Sequence, residues 1–385
     1  MYSNRRYILQ IQQNYTFEIL RPLQRAILGQ GGKVLWFVIG NAVDTTKFTP
    51  YEEHTSNVDL VKAFAPHAVF VTGNVVPDFI PGLKVQVFHG FEWKKKGHFR
   101  IRGSFDLYCT QGPLFTRKFA ELAKENGDYF DVEQTGWPKM DNIFPLSTNI
   151  NVAPIDKTSS EQEAAHVIAS DKSAACESPA DMRPVETNNA DKSPSILYAP
   201  TFSPSFSSAV TLRETIFSLA AKQTWQWHIK FHPKQDPAVI QAYQVLAENH
   251  ENVTVHGNVD LMNLIQESDV VLSDTSSAIA ETILLGKPVV TFKNSVPDKY
   301  LFDITKPEQL ESTLDKVIQG SAEQSELINE FALEYHPYKD GKSSERILDV
   351  VEEKLQNGLQ APNKKPANHV RNLKLRKTLG YWKFW

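Results

Sequence analysis

The chain has 385 residues, 41% apolar and 22% charged, with a net charge of −4, which excludes a collagen, a coiled coil and a wholly disordered chain. Its apolar runs, such as 34–40, are far shorter than the ~20 residues a membrane-spanning helix needs, and the N-terminal segment lacks the apolar stretch of a secretory signal. Two cysteines, Cys109 and Cys176, are too few for a disulfide framework, so a reducing, cytoplasmic compartment is expected.

In the first half, strand and helix signals alternate. KVLWFVIG (33–40), AVFVTG (68–73), KVQVFHG (84–90) and DLYCT (106–110) read as buried strands, with helices expected near 57–65 and 114–126. From about 146 to 193 the sequence is rich in Ser, Asp, Glu, Ala, Asn and Thr and has no aromatic residue, which reads as a linker or disordered insertion. The rhythm then restarts with strands at 195–200, 225–233, 253–257, 269–274 and 288–292. Helices fit near 209–222, 237–249, 260–267, 276–286, 307–319, 322–334 and 343–356. Uninterrupted apolar strands between helices predict an α/β fold of two Rossmann-like, doubly wound domains facing a cleft. The expected division is 1–145, a linker or insertion at 146–194, a second domain at 195–358 and a basic, aromatic tail at 359–385.

That tail carries the charge asymmetry. Residues 364–385 hold seven Lys/Arg and no acid, leaving about −11 on the rest of the chain. A chain-wide basic field for nucleic acid is absent, and no nucleic-acid partner is expected. Aromatic residues among lysines suit a membrane interface through 361–385; packing back on the body explains the same composition.

Ligands of open parallel sheets bind beyond the carboxyl ends of strands. Four strand ends here carry unusual polar groups. His89 ends one strand, beside Gly90, and the lysines at 94–96 follow; an imidazole there can take a proton near neutral pH, and Lys94 can attract a phosphorylated ligand. His232 ends another strand before Pro233, with Lys230 alternating beside it. Asp274 ends a third, and Thr275, Ser276 and Ser277 open a helix whose start suits an anion, with Glu281 a turn further in; an ordinary N-cap uses the same residue types. Ala199-Pro200-Thr201 ends a fourth. No cluster has metal-ligand spacing, and no metal or cofactor is expected.

Seven motifs in order then resemble the CDP-glycerol glycerophosphotransferase family, the teichoic-acid primases and polymerases of bacterial cell walls. They are FHGFEWKKKG, FDLYCTQGPLFTRKF, TGWPKMDNIF (135–144), ILYAPTF, IKFHP, SDTSSAIAETILLGKPVVTF and DGKSSERI (340–347). The resemblance implies a GT-B fold and metal-independent transfer of an alcohol phosphate from a CDP-alcohol to an acceptor hydroxyl, releasing CMP. It implies His89 as general base, and His232 at the donor pyrophosphate. Thr275, Ser276 and Ser277 would hold phosphate oxygens, and Glu281 would face the ribose. Lys230, Thr201 and Asp274 are expected on the donor side, and Lys94 and Lys139 at the acceptor or phosphate. A lipid-linked or polysaccharide acceptor follows, at the inner face of the plasma membrane. The sequence departs from the family pattern where Ser203-Pro204-Ser205 follows Phe202 in place of an arginine, and where Lys139 replaces another. A GT-B glycosyltransferase, a UDP-sugar 2-epimerase, or a non-catalytic protein docked at a membrane are the alternative readings.

Overall fold

The computed structural model describes residues 4–91, 99–144 and 193–383. The segment expected to be a linker lies outside them, apart from Ser193 and Pro194, and so does Lys94.

The first element is one the sequence reading passed over. RYILQI forms β1 (Arg6–Ile11), a strand buried from Tyr7 onward. It is followed by α1 (Thr16–Gly29), β2 (Lys33–Val38), β3 (His54–Thr55), α2 (Val58–Ala63), β4 (Ala68–Val71), β5 (Leu83–Gln86), β6 (Leu107–Thr110), α3 (Pro113–Glu125) and β7 (Asp131–Gln134). Arginines at positions 5 and 6 hide the strand in a composition scan. Their side chains leave the sheet, Arg5 to Glu352 and Arg6 to the Ala65 carbonyl, while the apolar residues after them sit at its centre.

A second set comprises β8 (Ser195–Tyr198), α4 (Arg213–Ala220), β9 (Gln226–Lys230), α5 (Pro237–Ala247), β10 (Val253–His256), α6 (Leu261–Glu267), β11 (Val270–Ser273), α7 (Ala278–Leu284), β12 (Val289–Phe292) and β13 (Phe302–Ile304). Helices α8 (Leu310–Gln319), α9 (Ala322–Tyr335), α10 (Ser343–Asn357) and α11 (His369–Leu379) close the chain.

Strand order is β3-β2-β1-β4-β5-β6-β7 in the first sheet and β10-β9-β8-β11-β12-β13 in the second, and every pairing is parallel. Both orders reverse direction beside their first strand. Each sheet therefore has a crevice at that point, between β1 and β4 and between β8 and β11. Four-residue strands such as AVFV, LYCT, SILY and VVLS are buried at every position, as parallel strands covered on both faces must be.

The two sheets belong to one compact unit. One hydrophobic cluster runs from Tyr7, Phe17 and Trp36 in the first half to Ile283, Phe331 and Ile347 in the second. The expected 276–286 helix is shorter than its sequence signal, seven residues long, because Gly286 at φ +75° ends it.

As far as Lys383, the tail is held on the body. Asp131 accepts from the Gln360 and Ala361 amides at 2.9 and 2.7 Å, and Lys365 pairs with Asp106 at 2.7 Å. Helix α11 then lies on the first sheet's side of the molecule, and Tyr381 is buried against Phe79. Packing back on the body is what the structure adopts for residues up to Lys383.

Candidate functional site

The carboxyl ends of β9, β8 and β11 stand side by side and carry His232, Thr201 and Asp274. Asp274 is fully buried, and its carboxylate is the anchor of this row. It accepts from the amides of Thr201 (2.8 Å), Ser208 (2.9 Å) and Thr275 (2.7 Å) and from the Ser208 hydroxyl (2.9 Å). Burial pushes its pKa above the usual carboxylate value, against the pull of those hydrogen bonds. Asp274 thus shapes the loop after β8 and has its acceptor capacity occupied within the protein.

Beyond it, Thr275 Oγ1 accepts from the Ser295 amide at 3.1 Å, and Ser276 Oγ accepts from the Ala278 amide at 3.3 Å. Thr275, Ser276 and Ser277 form the polar rim of a pocket of about 160 Å³. Asn294 and Ser295 extend that rim, and Ile279, Tyr300, Leu301, Phe331 and Tyr335 form its apolar wall. Phe91, from the first half of the chain, also lines the pocket.

Phe91 is two residues beyond His89. The strand β5 runs into Phe88, which is buried with φ +58°, a left-handed conformation uncommon for a bulky residue. That turn brings His89 out to the surface while Phe88 stays packed on Phe119. His89 Nδ1 donates to the Thr72 carbonyl at 3.3 Å, so the neutral ring carries its lone pair on Nε2. Tyr15 lies beside the ring, with centroids 5.9 Å apart.

His232 stacks on Phe202, centroids 4.3 Å apart at 29°, and its Nδ1 accepts from the Lys234 amide at 3.0 Å. Its neutral ring therefore presents Nε2–H as a donor. Burial first, then Lys234 and Lys230, hold its pKa below the ordinary histidine value. Lys230 donates to the Gly257 carbonyl at 2.5 Å. The positive charge missing after Phe202 stands on the neighbouring strand end, where Lys234 Nζ is 5.8 Å from the Phe202 ring.

Lys139 and Glu281 are placed elsewhere. Lys139 Nζ lies 3.2 Å from both Glu281 Oε1 and Glu18 Oε2, and the Lys139 and Glu281 side chains are only 13% and 11% exposed. Burial raises the Glu281 pKa, with Lys139 opposing; for Lys139, burial is outweighed by the two carboxylates and its pKa rises. Neither residue lines the pocket, and the side chains expected at a ribose and at a phosphate form an ion pair with each other.

The rest of that motif is also a joint. The Trp137 amide donates to His336 Nε2 at 3.0 Å, and Asp141 caps α10 by accepting from the Ser343 and Ser344 amides at 2.8 and 2.7 Å. Two motifs far apart in sequence, 135–144 and 340–347, are thus one junction between the halves. Sequence reasoning missed the wall residues Tyr300, Phe331 and Tyr335. They read as ordinary helix and loop positions, and no local signal separates an aromatic that lines a pocket from one in the core.

The architecture and the strand-end pocket define the class: a GT-B-type α/β protein of two Rossmann-like sheets. Known proteins sharpen this. The profile of the UDP-N-acetylglucosamine 2-epimerase family matches residues 205–352. Over 186 residues the chain is 26% identical to the teichoic acid glycerol-phosphate primase of Bacillus subtilis (strain 168), a match covering 43% of this chain and 45% of the primase. The match therefore spans less than half of that relative. Among solved structures, the wall teichoic acid polymerase TagF gives a TM-score of 0.58 at 14% identity over 93% of this chain and 91% of that one. The UDP-GlcNAc 2-epimerase from Neisseria meningitidis, bound to UDP-GlcNAc, gives 0.56 at 15% identity over 90% and 100%. In sequence the chain is similar to the primase over part of its length and to the epimerase family over 205–352, and its fold is common to both groups.

Proposed function

We propose that this protein is a transferase that moves an alcohol phosphate, with glycerol phosphate as the leading case, from a CDP-alcohol to a hydroxyl of a lipid-linked or polysaccharide acceptor in cell-envelope polymer synthesis, at the inner face of the plasma membrane. The observation that carries the reading is the shared pocket: Thr275, Ser276 and Ser277 line it together with Phe91, two residues from His89. A donor held at 275–277 would share that pocket with the segment that follows His89. The motif likeness and the primase match support a CDP-alcohol as the donor.

In this reading His89 Nε2 takes the proton of the acceptor hydroxyl, whose oxygen attacks the β-phosphorus of the donor. The bond from that phosphorus to the bridging oxygen breaks, and CMP leaves with the electron pair. His232 Nε2–H, Lys230 and Lys234 offset the charge growing on the leaving phosphate, and Thr201 stands beside them at the end of β8. Asp274 acts by holding the Thr201 and Thr275 amides in place.

The test is nucleotide release. The purified protein is incubated with CDP-glycerol, CDP-ribitol, UDP-GlcNAc or CMP-sialic acid and a membrane fraction. CMP should appear from a CDP-alcohol, and His89→Ala should lower turnover by about 10²–10⁴-fold, the usual worth of a positioned general base. CMP release by His89→Ala at the wild-type rate overturns the assignment of the base.

A second reading, a UDP-sugar 2-epimerase, is favoured by the family match over 205–352. It requires UDP-GlcNAc to be interconverted with its 2-epimer without an acceptor and without release of nucleotide, and chromatographic separation of the two UDP-sugars after incubation without membranes reads that out.

A further inference from the structure

Helix α11 is docked by one face only. Leu375 is buried; Asn368, Arg371 and Asn372 bond to Gly103, Arg102 and Asp78; and Arg376 lies over the Phe79 ring. Gly380, at φ +62°, ends the helix, and the Tyr381 amide closes back on the Arg376 carbonyl at 2.9 Å. Tyr381 then stacks on Phe79, centroids 5.2 Å apart, while its hydroxyl accepts from Lys62 Nζ at 3.0 Å and Lys383 pairs with Asp59 at 2.7 Å.

This docking determines what faces outward. Val370, Leu373, Lys374 and Lys377 fall within an arc of about 100° on a helix of 3.6 residues per turn. Val370 is 70% exposed and Leu373 53%, and Trp382, just past the helix, is 51% exposed. Leu60, also exposed, sits on α2 between Asp59 and Lys62, the residues that hold the tail. Among the described residues Lys374 and Lys377 have no ion-pair partner, and 364–383 contains no acid. Apolar side chains set among unpaired cations, with an indole at the edge, match the two layers of an anionic lipid surface: acyl boundary and phosphate.

We propose that the outer face of α11, with Trp382, lies on anionic membrane lipid. The contact is made by a helix fixed to the first sheet, so it holds the protein body at a set orientation to the bilayer. The proposal deepens the localisation given above and is read by lipid binding alone, so its failure leaves the transfer reaction standing and a failed transfer assay leaves it standing.

The test uses the full chain and sedimentation with vesicles of phosphatidylglycerol and phosphatidylethanolamine, against vesicles of phosphatidylcholine. Binding should be confined to the anionic vesicles and fall with added salt. Lys374→Gln with Lys377→Gln should weaken partitioning about 30-fold, at roughly a factor of five per surface cation. Leu373→Glu should weaken it as well. Both changes lie on the exposed face, so an unchanged thermal unfolding midpoint shows that the fold is kept. Failure of the wild-type chain to bind anionic vesicles overturns the proposal, and so does equal binding by the variants. Binding to soluble polyphosphate but not to vesicles overturns it in favour of a soluble polyanion.

Discussion

Lys139 Nζ stands 3.2 Å from Glu281 Oε1, tying the segment after the last strand of the first sheet to the helix after the fourth strand of the second. The pair is nearly buried, so neither charge has water to replace the other. Removing Lys139 strands a carboxylate. Lys139→Ala should cost about 3 kcal/mol in urea unfolding, and the double change Lys139→Met with Glu281→Gln should recover most of it. A single variant as stable as wild type would show the pair to be incidental.

Asp274 holds three amides and a hydroxyl from both sides of the β8–β11 crevice. An amide cannot replace it, because its NH₂ would face donors. Asp274→Asn should lose about 2–4 kcal/mol of stability from buried donors left unmade, and nucleotide affinity should fall with it as the 201–208 loop loosens. Full stability together with lost affinity would instead mean that Asp274 contacts the ligand directly.

His336 accepts the Trp137 amide on Nε2, a bond only the neutral ring can make. Burial first of all pushes its pKa down to about 4. Below an unfolded value of about 6.5 the unfolded chain takes up a proton that the folded ring refuses, so stability falls as pH drops from about 6.5 towards 4. This one group should cost about 2 kcal/mol between pH 7.5 and pH 5. His67, His232 and His256 shift in the same direction, with burial the largest cause in each. Unfolding midpoints at the two pH values, for wild type and His336→Gln, check it: the variant should show the smaller drop, and equal drops would clear His336.

Gly136 sits at φ +88°, and a methyl group there would come within 2.5 Å of Ser343 Oγ and 3.1 Å of His336 Nε2. Both the conformation and the space call for glycine. Gly136→Ala should destabilise by about 2–5 kcal/mol, from left-handed strain plus overpacking. A variant within about 0.5 kcal/mol of wild type in chemical denaturation would show that the junction tolerates repacking.

How much of this was legible beforehand varies by element. The strands at 33–38, 68–71, 195–198 and 270–273 were, because a strand covered on both faces reads as a nearly continuous apolar run. The β1 strand was not, because two arginines precede its apolar run. Helix α11 was not either: eleven residues with four Lys/Arg lack an apolar stripe, and the first sheet's surface supplies the order. Within the candidate site, the polar character of the strand ends at His89, His232 and Asp274 was readable, since ligands of such sheets meet the carboxyl ends of their strands.

The sequence by itself determined the α/β class, the restart of the strand–helix rhythm after the 146–193 segment, and which residues end the strands. These follow from burial and turn chemistry, which act on each residue and its neighbours along the chain. Only the tertiary structure decided that Asp274 is occupied by its own loops, that Lys139 is spent on Glu281 142 positions away, and that the basic tail is a docked helix with one face left bare. A pairing depends on two positions at once, and residues of one type carry the same local signal whether their partner is a ligand, a carboxylate across the molecule or water.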